Sequence, residues 1–217
     1  MNTSTAIQTP ANGTGNSQAE RTAISDRHML NAAIELIVSR GTEKMTLKDV
    51  GENAGYSRGL AGYRFGSKAG LLIFVLKAIG EEWLQELTTV TSDKTGLEAL
   101  CAASDAHYQF CVDAPEHVRA FYVLWFESVG PESELKSVIN TIHERRFRDV
   151  REWIADGIAR GDIDSSVNAD KIAGQFCSSI IGIVYQWLST PEDLEKVREL
   201  YDDLKQTMTV LLTAREK

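Results

Sequence analysis

The chain has no run of 18 uncharged apolar residues, so no membrane-spanning helix is expected. Its start lacks the basic stretch and apolar core of a secretory leader. Cysteine is scarce. Cys101, Cys111 and Cys177 are odd in number and have no CxxC spacing, which argues against a disulfide framework. They read as small buried thiols in a reducing cytoplasm. The four histidines (His28, His107, His117 and His143) pair with no Cys or Glu at metal spacing. No metal and no cofactor is therefore expected. Neither a nucleophile–base motif nor a glycine-rich phosphate loop is found, which argues against an enzyme. No segment sustains period-two alternation, so the chain reads as all-α, with about nine helices and no internal repeat.

What is present is an uneven charge. The net charge of −8 would discourage nucleic acid if it were spread evenly. Residues 21–70, however, carry eight Lys/Arg against five Asp/Glu, and the acidic excess lies beyond residue 70. A small basic head on a larger acidic body suits a DNA-binding module joined to something that does not touch DNA.

The head is organised around residues 46–68, TLKDVGENAGYSRGLAGYRFGSK. Thr46 and Asp49 have capping-box spacing ahead of an apolar beat at Leu47, Val50 and Ala54. Gly55 supplies the backbone that stops this short helix. Ser57 is placed to cap a second short helix through Arg58, Leu60, Ala61 and Tyr63. Two short helices, a glycine turn and a polar, basic second helix make a helix-turn-helix. Ser67 caps the next helix. Lys68 in its first turn is off-pattern for the helix dipole, a mismatch that a DNA phosphate would repair.

In chain order, residues 1–22 are expected to be a disordered tail, rich in Ser, Thr, Asn and Gly. A helix from Ser25 to Arg40 completes a head at residues 23–66. Residues 67–217 form the body. A long fourth helix joins head to body without a linker. Pro115 opens a sixth helix and Pro131 a seventh, which runs to about Arg160. Asn168 caps an eighth helix, and Thr190-Pro191 starts the ninth.

The run from Thr46 to Leu72 resembles the TetR family of transcriptional regulators. The likeness rests on the Thr-capped helix, Ala54-Gly55, Ser57-Arg58-Gly59, and Phe65-Gly66-Ser67-Lys68. Gly62 stands where most relatives carry Tyr, and Tyr63 falls one position later. The phosphate contact of that Tyr would therefore fall to Tyr63 or Arg64. The resemblance implies a helix-turn-helix head, a ligand-binding and dimerisation body, a DNA operator as partner and a homodimer.

Candidate DNA-binding residues are Thr46, Lys48, Ser57, Arg58, Gly59, Tyr63, Arg64 and Lys68. Arg can pair with guanine and the Tyr ring can pack on a thymine methyl. Thr46, Lys48, Ser57, Tyr63 and Lys68 are phosphate candidates, and Gly59 would allow close approach. For a ligand pocket the candidates are Trp83, His107, Phe110, Tyr122, Trp125, Phe126, Trp153, Phe176 and Cys177, a lining suited to a largely apolar molecule. The eighth helix is apolar nearly all round. With the ninth it predicts a four-helix dimer interface through Ile180, Ile183, Val184, Trp187, Val197, Tyr201, Leu204 and Met208. Glu144-Arg145-Arg146 and Arg148 through Arg151 read as a solvated helix face, with a subunit or acidic-ligand contact as the minor alternative.

The expected function is a cytoplasmic, dimeric DNA-binding regulator, a repressor released from a palindromic operator by a small apolar ligand. The competing readings are a helical small-molecule-binding protein or enzyme with an incidental basic head, and a ligand-free DNA-binding scaffold.

Overall fold

The computed structural model describes residues 17–131 and 133–213. Among these the secondary structure is helical, and the head consists of three helices. Helix α1 (Gln18–Arg40) opens on a full capping box between Ser17 and Glu20. It therefore begins inside the stretch expected as a tail, while residues 1–16 of that stretch lie outside the described residues. Helix α2 (Leu47–Asn53) carries the Thr46–Asp49 capping box foreseen from spacing. Gly55 turns the chain at φ 80°. Helix α3 (Leu60–Phe65) is short. Met29, Ala33, Ile37, Met45, Val50 and Ala61 are buried between these helices, and Leu47, Leu60 and Phe65 pack on them half-exposed.

The body begins with α4 (Lys68–Thr91), capped by Ser67. It continues with α5 (Gly96–Asp113) and α6 (Pro115–Glu127), which has Pro115 in its first turn. Next come α7 (Lys136–Arg160), α8 (Ala169–Ser189) and α9 (Leu194–Leu212). Helix α5 packs against α4, α7 and α9, while α8 lies beside α7 and α9. Helices α5 and α7 meet backbone to backbone. A Cβ on Gly157 would stand 2.9 Å from Gly96 Cα and 2.7 Å from Ile163 Cδ1. Helix α1 packs on α6, so head and body share an interface besides α4.

In the body, the starts of α7 and α9 differ from expectation. Helix α7 begins at Lys136 rather than near Pro131, after a turn ending at Leu135. Helix α9 begins at Leu194, where the Asp193 side chain accepts from the Lys196 amide. Asp193 is the better cap because its carboxylate accepts an otherwise unpaired amide.

The predicted dimer residues are corrected more strongly. Ile180, Ile183, Val184, Trp187, Val197, Tyr201, Leu204 and Met208 are all buried inside the single chain. Trp187 also donates its indole N–H to the Pro191 carbonyl at 3.2 Å. Burying each of the large side chains contributes roughly 1.5–3 kcal/mol to the fold of one subunit, so they are not exposed to a second subunit. The part of α8 left outside carries Ser178, Gly182 and Tyr185, with Tyr185 63% exposed beside Phe126.

Candidate DNA-facing head and body cavity

The head residues fall into two groups. Lys48, Ser57, Arg58, Gly59 and Tyr63 are exposed, Tyr63 to 88%. Ser57 does not cap α3. Gly59 holds that position with no side-chain bond, and the Ser57 carbonyl accepts from the Leu60 amide. The turn is tight because α2 offers no side chain against it, a Cβ on Gly51 standing 3.0 Å from the Ser57 oxygen. Arg58 precedes α3 and is ion-paired with Glu52 of α2. An incoming guanine or phosphate would have to replace that carboxylate.

The other group is already occupied. Thr46 Oγ1 donates to Asp49 Oδ2 at 2.7 Å and accepts from the Asp49 amide. These bonds favour the ionised carboxylate and hold the Asp49 pKa below its usual range. Arg64 makes a two-point pair with Asp26 of α1, at 2.8 and 2.5 Å. A guanidinium held this way braces α3 against α1. Lys68 donates to the Glu43 carbonyl at 3.2 Å, tying the start of α4 to the loop before α2.

The body contains a cavity of about 570 Å³, walled chiefly by α4, α5, α6 and α7. Its apolar surfaces come from Trp83, Leu84, Leu87, Phe110, Phe121 and Ile142. His107 and Tyr122 supply polar atoms, and Arg145, Arg146 and Asp149 lie on the α7 wall. Of the predicted pocket residues, Trp83, His107, Phe110 and Tyr122 line this cavity. Trp153, Phe176 and Cys177 line a hollow of about 40 Å³ that shares Trp83, His107 and Arg146 with it. Trp125 is buried under the Arg146 guanidinium, 5.5 Å from ring centre to Arg146 Cζ. Phe126 is exposed against Tyr185 and belongs to the outer surface. The solvated-face expectation is corrected at Arg146, which is half-buried with its guanidinium over the Trp125 ring, a placement that a run of charges on one helix does not mark.

His107 organises the polar end. Tyr201 Oη lies 2.7 Å from its Nδ1, Tyr122 Oη 3.3 Å from its Nε2, and Cys111 Sγ 3.9 Å from Nδ1. Burial, aided by the Arg146 charge, lowers the His107 pKa to about 3, so the ring is neutral. A neutral ring donates through one nitrogen and accepts through the other. Burial pushes the Cys111 thiol up to about 12 and raises both tyrosines, Tyr122 and Tyr201.

Residues 29–74 match the family model for bacterial regulatory proteins of the tetR family. The head, with the first turns of α4, is that of the TetR family. It is similar to the HTH-type transcriptional regulator BetI of Rhizobium meliloti, 27% identical over 124 residues. That match covers 55% of this chain and 59% of BetI, so the chain spans less than two thirds of this curated relative. Among solved structures, a protein from Saccharomonospora viridis in complex with choline superposes with a TM-score of 0.77 at 18% identity. It covers 89% of this chain and all of that one. The regulator FadR from Bacillus subtilis in complex with stearoyl-CoA gives a TM-score of 0.71 at 18% identity, covering 84% of this chain and 96% of FadR. At such identities these structures share the TetR fold. The family match ends at residue 74, seven residues into α4. Among the described residues no helix is long and apolar enough to cross a membrane.

Proposed function

We propose that this protein is a homodimeric DNA-binding regulator of transcription. It represses by occupying a palindromic operator, and it leaves when a small, largely apolar ligand fills the body cavity. The observation that carries this reading is the single unbroken helix α4. Its first turn is fixed to the head through Lys68 and Glu43, and its later turns supply Ile79, Gly80, Trp83, Leu84 and Leu87 to the cavity wall. A ligand that shifts this wall therefore moves the head, and half-sites at a fixed pitch make that displacement costly to binding. TetR-fold relatives solved with choline and with stearoyl-CoA support a small-molecule role for the body.

In this reading Arg58 and Tyr63 meet the major groove, with Lys48, Ser57 and Gly59 at the backbone. Thr46 and Lys68 sit at the phosphates through the helix ends that they fix. The outer side of α8, with Ser178, Gly182 and Tyr185, meets a second copy, because a small residue there admits a close helix.

Fluorescence anisotropy with a duplex from the gene's own upstream region, at two salt concentrations, tests the DNA arm. Wild type should bind with a steep salt dependence, and Arg58→Ala should lose affinity while keeping its helix content. Light scattering tests the dimer, which Gly182→Arg should split. A wild-type monomer at micromolar concentration, or indifference to DNA in dilute buffer, would overturn the proposal.

A further inference from the structure

Two cations of the cavity lining, Lys77 and Arg146, form no ion pair among the described residues, and of these only Arg146 is withdrawn from solvent. Arg145 and Arg148 both pair with Asp149, at 3.7 and 3.4 Å, and Arg148 also reaches Glu152. Lys77 and Glu81 of α4, which also line the cavity, are exposed to solvent. Arg146 is half-buried and, among the described residues, forms no ion pair. It stands over the Trp125 ring, with Cζ 5.5 Å from the centroid, and is hydrogen-bonded to the Tyr122 hydroxyl. A cation–π contact uses the face of a guanidinium, so its in-plane N–H donors other than the one on Tyr122 stay open to a ligand. The positive charge is felt across the pocket, opposing protonation of His107 and favouring the ionised forms of Tyr122 and Cys177.

A partly desolvated guanidinium with open donors is costly unless an anion meets it. Tyr122 lies on the same wall, and its oxygen is 3.3 Å from His107 Nε2. When that nitrogen donates, the Tyr122 O–H is left to donate to a ligand. The rest of the lining is aliphatic and aromatic. We infer that the cavity takes an organic anion, an alkyl or aryl body ending in one carboxylate-like group that sits against Arg146 and the Tyr122 hydroxyl. This rests on the cavity being the effector site, and it gives that effector a charge and an orientation. A quaternary ammonium of the same shape would face the Arg146 charge and be excluded.

The test is calorimetric titration of the full-length protein with three matched probes: phenylbutyrate, phenylbutyramide and phenylbutyltrimethylammonium. The carboxylate should bind at least about tenfold more tightly than the amide. The ammonium should bind most weakly. Arg146→Gln should bring carboxylate and amide within about threefold of each other, and Tyr122→Phe should reduce the preference in part. If Arg146→Gln does not fold, Arg146→Lys serves instead, keeping the charge while losing the planar fork and part of the preference. Equal binding of carboxylate and amide by wild type, stronger binding of the ammonium, a preference that survives Arg146→Gln, or no binding of any probe at millimolar concentration would each overturn the inference. Anisotropy with bound operator DNA separates the two layers. Carboxylate binding that leaves DNA affinity unchanged would overturn the effector reading while leaving the anion site standing.

Discussion

Thr42 Oγ1 donates a 2.7 Å hydrogen bond to the carboxylate of Glu127, 85 residues further along the chain. Thr42 is buried in the loop after α1, and Glu127 is the last residue of α6. Val118, Phe121 and Tyr122 on the same helix line the cavity. Head and body are thus joined at two places, one through α4 and one through α6.

Thr42→Val removes the second junction without opening a large void. Glu127 is exposed enough for water to take the lost bond, so the stability cost should be about 1 kcal/mol, read as a shift in the urea midpoint. Ligand affinity should stay within about twofold of wild type, while the effect of ligand on DNA affinity should shrink. An undiminished coupling would assign transmission to α4 alone.

Gly70 and Gly62 form a contrasting pair. A Cβ on Gly70 would lie 2.3 Å from the Phe65 carbonyl oxygen, and both atoms belong to the junction between α3 and α4. Gly70→Ala must displace backbone, so a loss of about 2 kcal/mol or more is expected. DNA affinity should fall with it. Gly62 lies within α3, and a Cβ there meets nothing within 4 Å. Gly62→Ala should stabilise the head by roughly 0.5–1 kcal/mol through helix propensity. Thermal melts of the two variants should therefore move in opposite directions.

How far the fold could be read in advance depended on whether the signal was local. The Thr46–Asp49 box and the turn at Gly55 involve residues three or fewer apart, and both are present as expected. Ser57 has the spacing of a cap but does not serve as one, because the chain turns once more before α3, in a space left by Gly51 on a different helix. The stripes on α8 and α9 correctly marked buried faces. Hydrophobic periodicity does not say what covers a face, and here α5 and α7 of the same chain do so. Arg146 is the clearest case. It sits in a run of charges on α7, and only the packing of Trp125 and Tyr122 distinguishes it from Arg145 and Arg148.

The two head arginines should separate by assay. Arg58 is largely exposed and pairs with an exposed Glu52, so Arg58→Ala should change stability by less than about 0.5 kcal/mol. Its effect should fall on DNA binding, roughly 1–3 kcal/mol if it reads a base. Arg64 braces α3 against Asp26 of α1. Arg64→Ala should lower the melting temperature, at a cost of about 1 kcal/mol, and weaken DNA binding through a looser α3. Asp26→Asn should reproduce the stability loss, since it weakens the same two-point contact from the other side.

The last expectation concerns acid. His107 titrates near 3 in the folded protein, against an ordinary value of 6.5 in an unfolded chain. Burial is the larger cause and the Arg146 charge the next, while Cys111, Tyr122 and Tyr201 are the titratable neighbours. Below 6.5 the unfolded chain takes up a proton that the native chain refuses. Stability is therefore fully present above pH 6.5 and is lost as the pH falls toward 3, by up to about 1.4 kcal/mol per pH unit. Between pH 7 and pH 5 this single group should remove about 2 kcal/mol. Urea midpoints at pH 7.5, 6 and 5 measure the slope. In His107→Gln the midpoint should be lower at pH 7.5, because the bonds to Tyr122 and Tyr201 are disturbed, yet flatter across the series. A slope in that variant as steep as in wild type would place the acid sensitivity among the carboxylates instead.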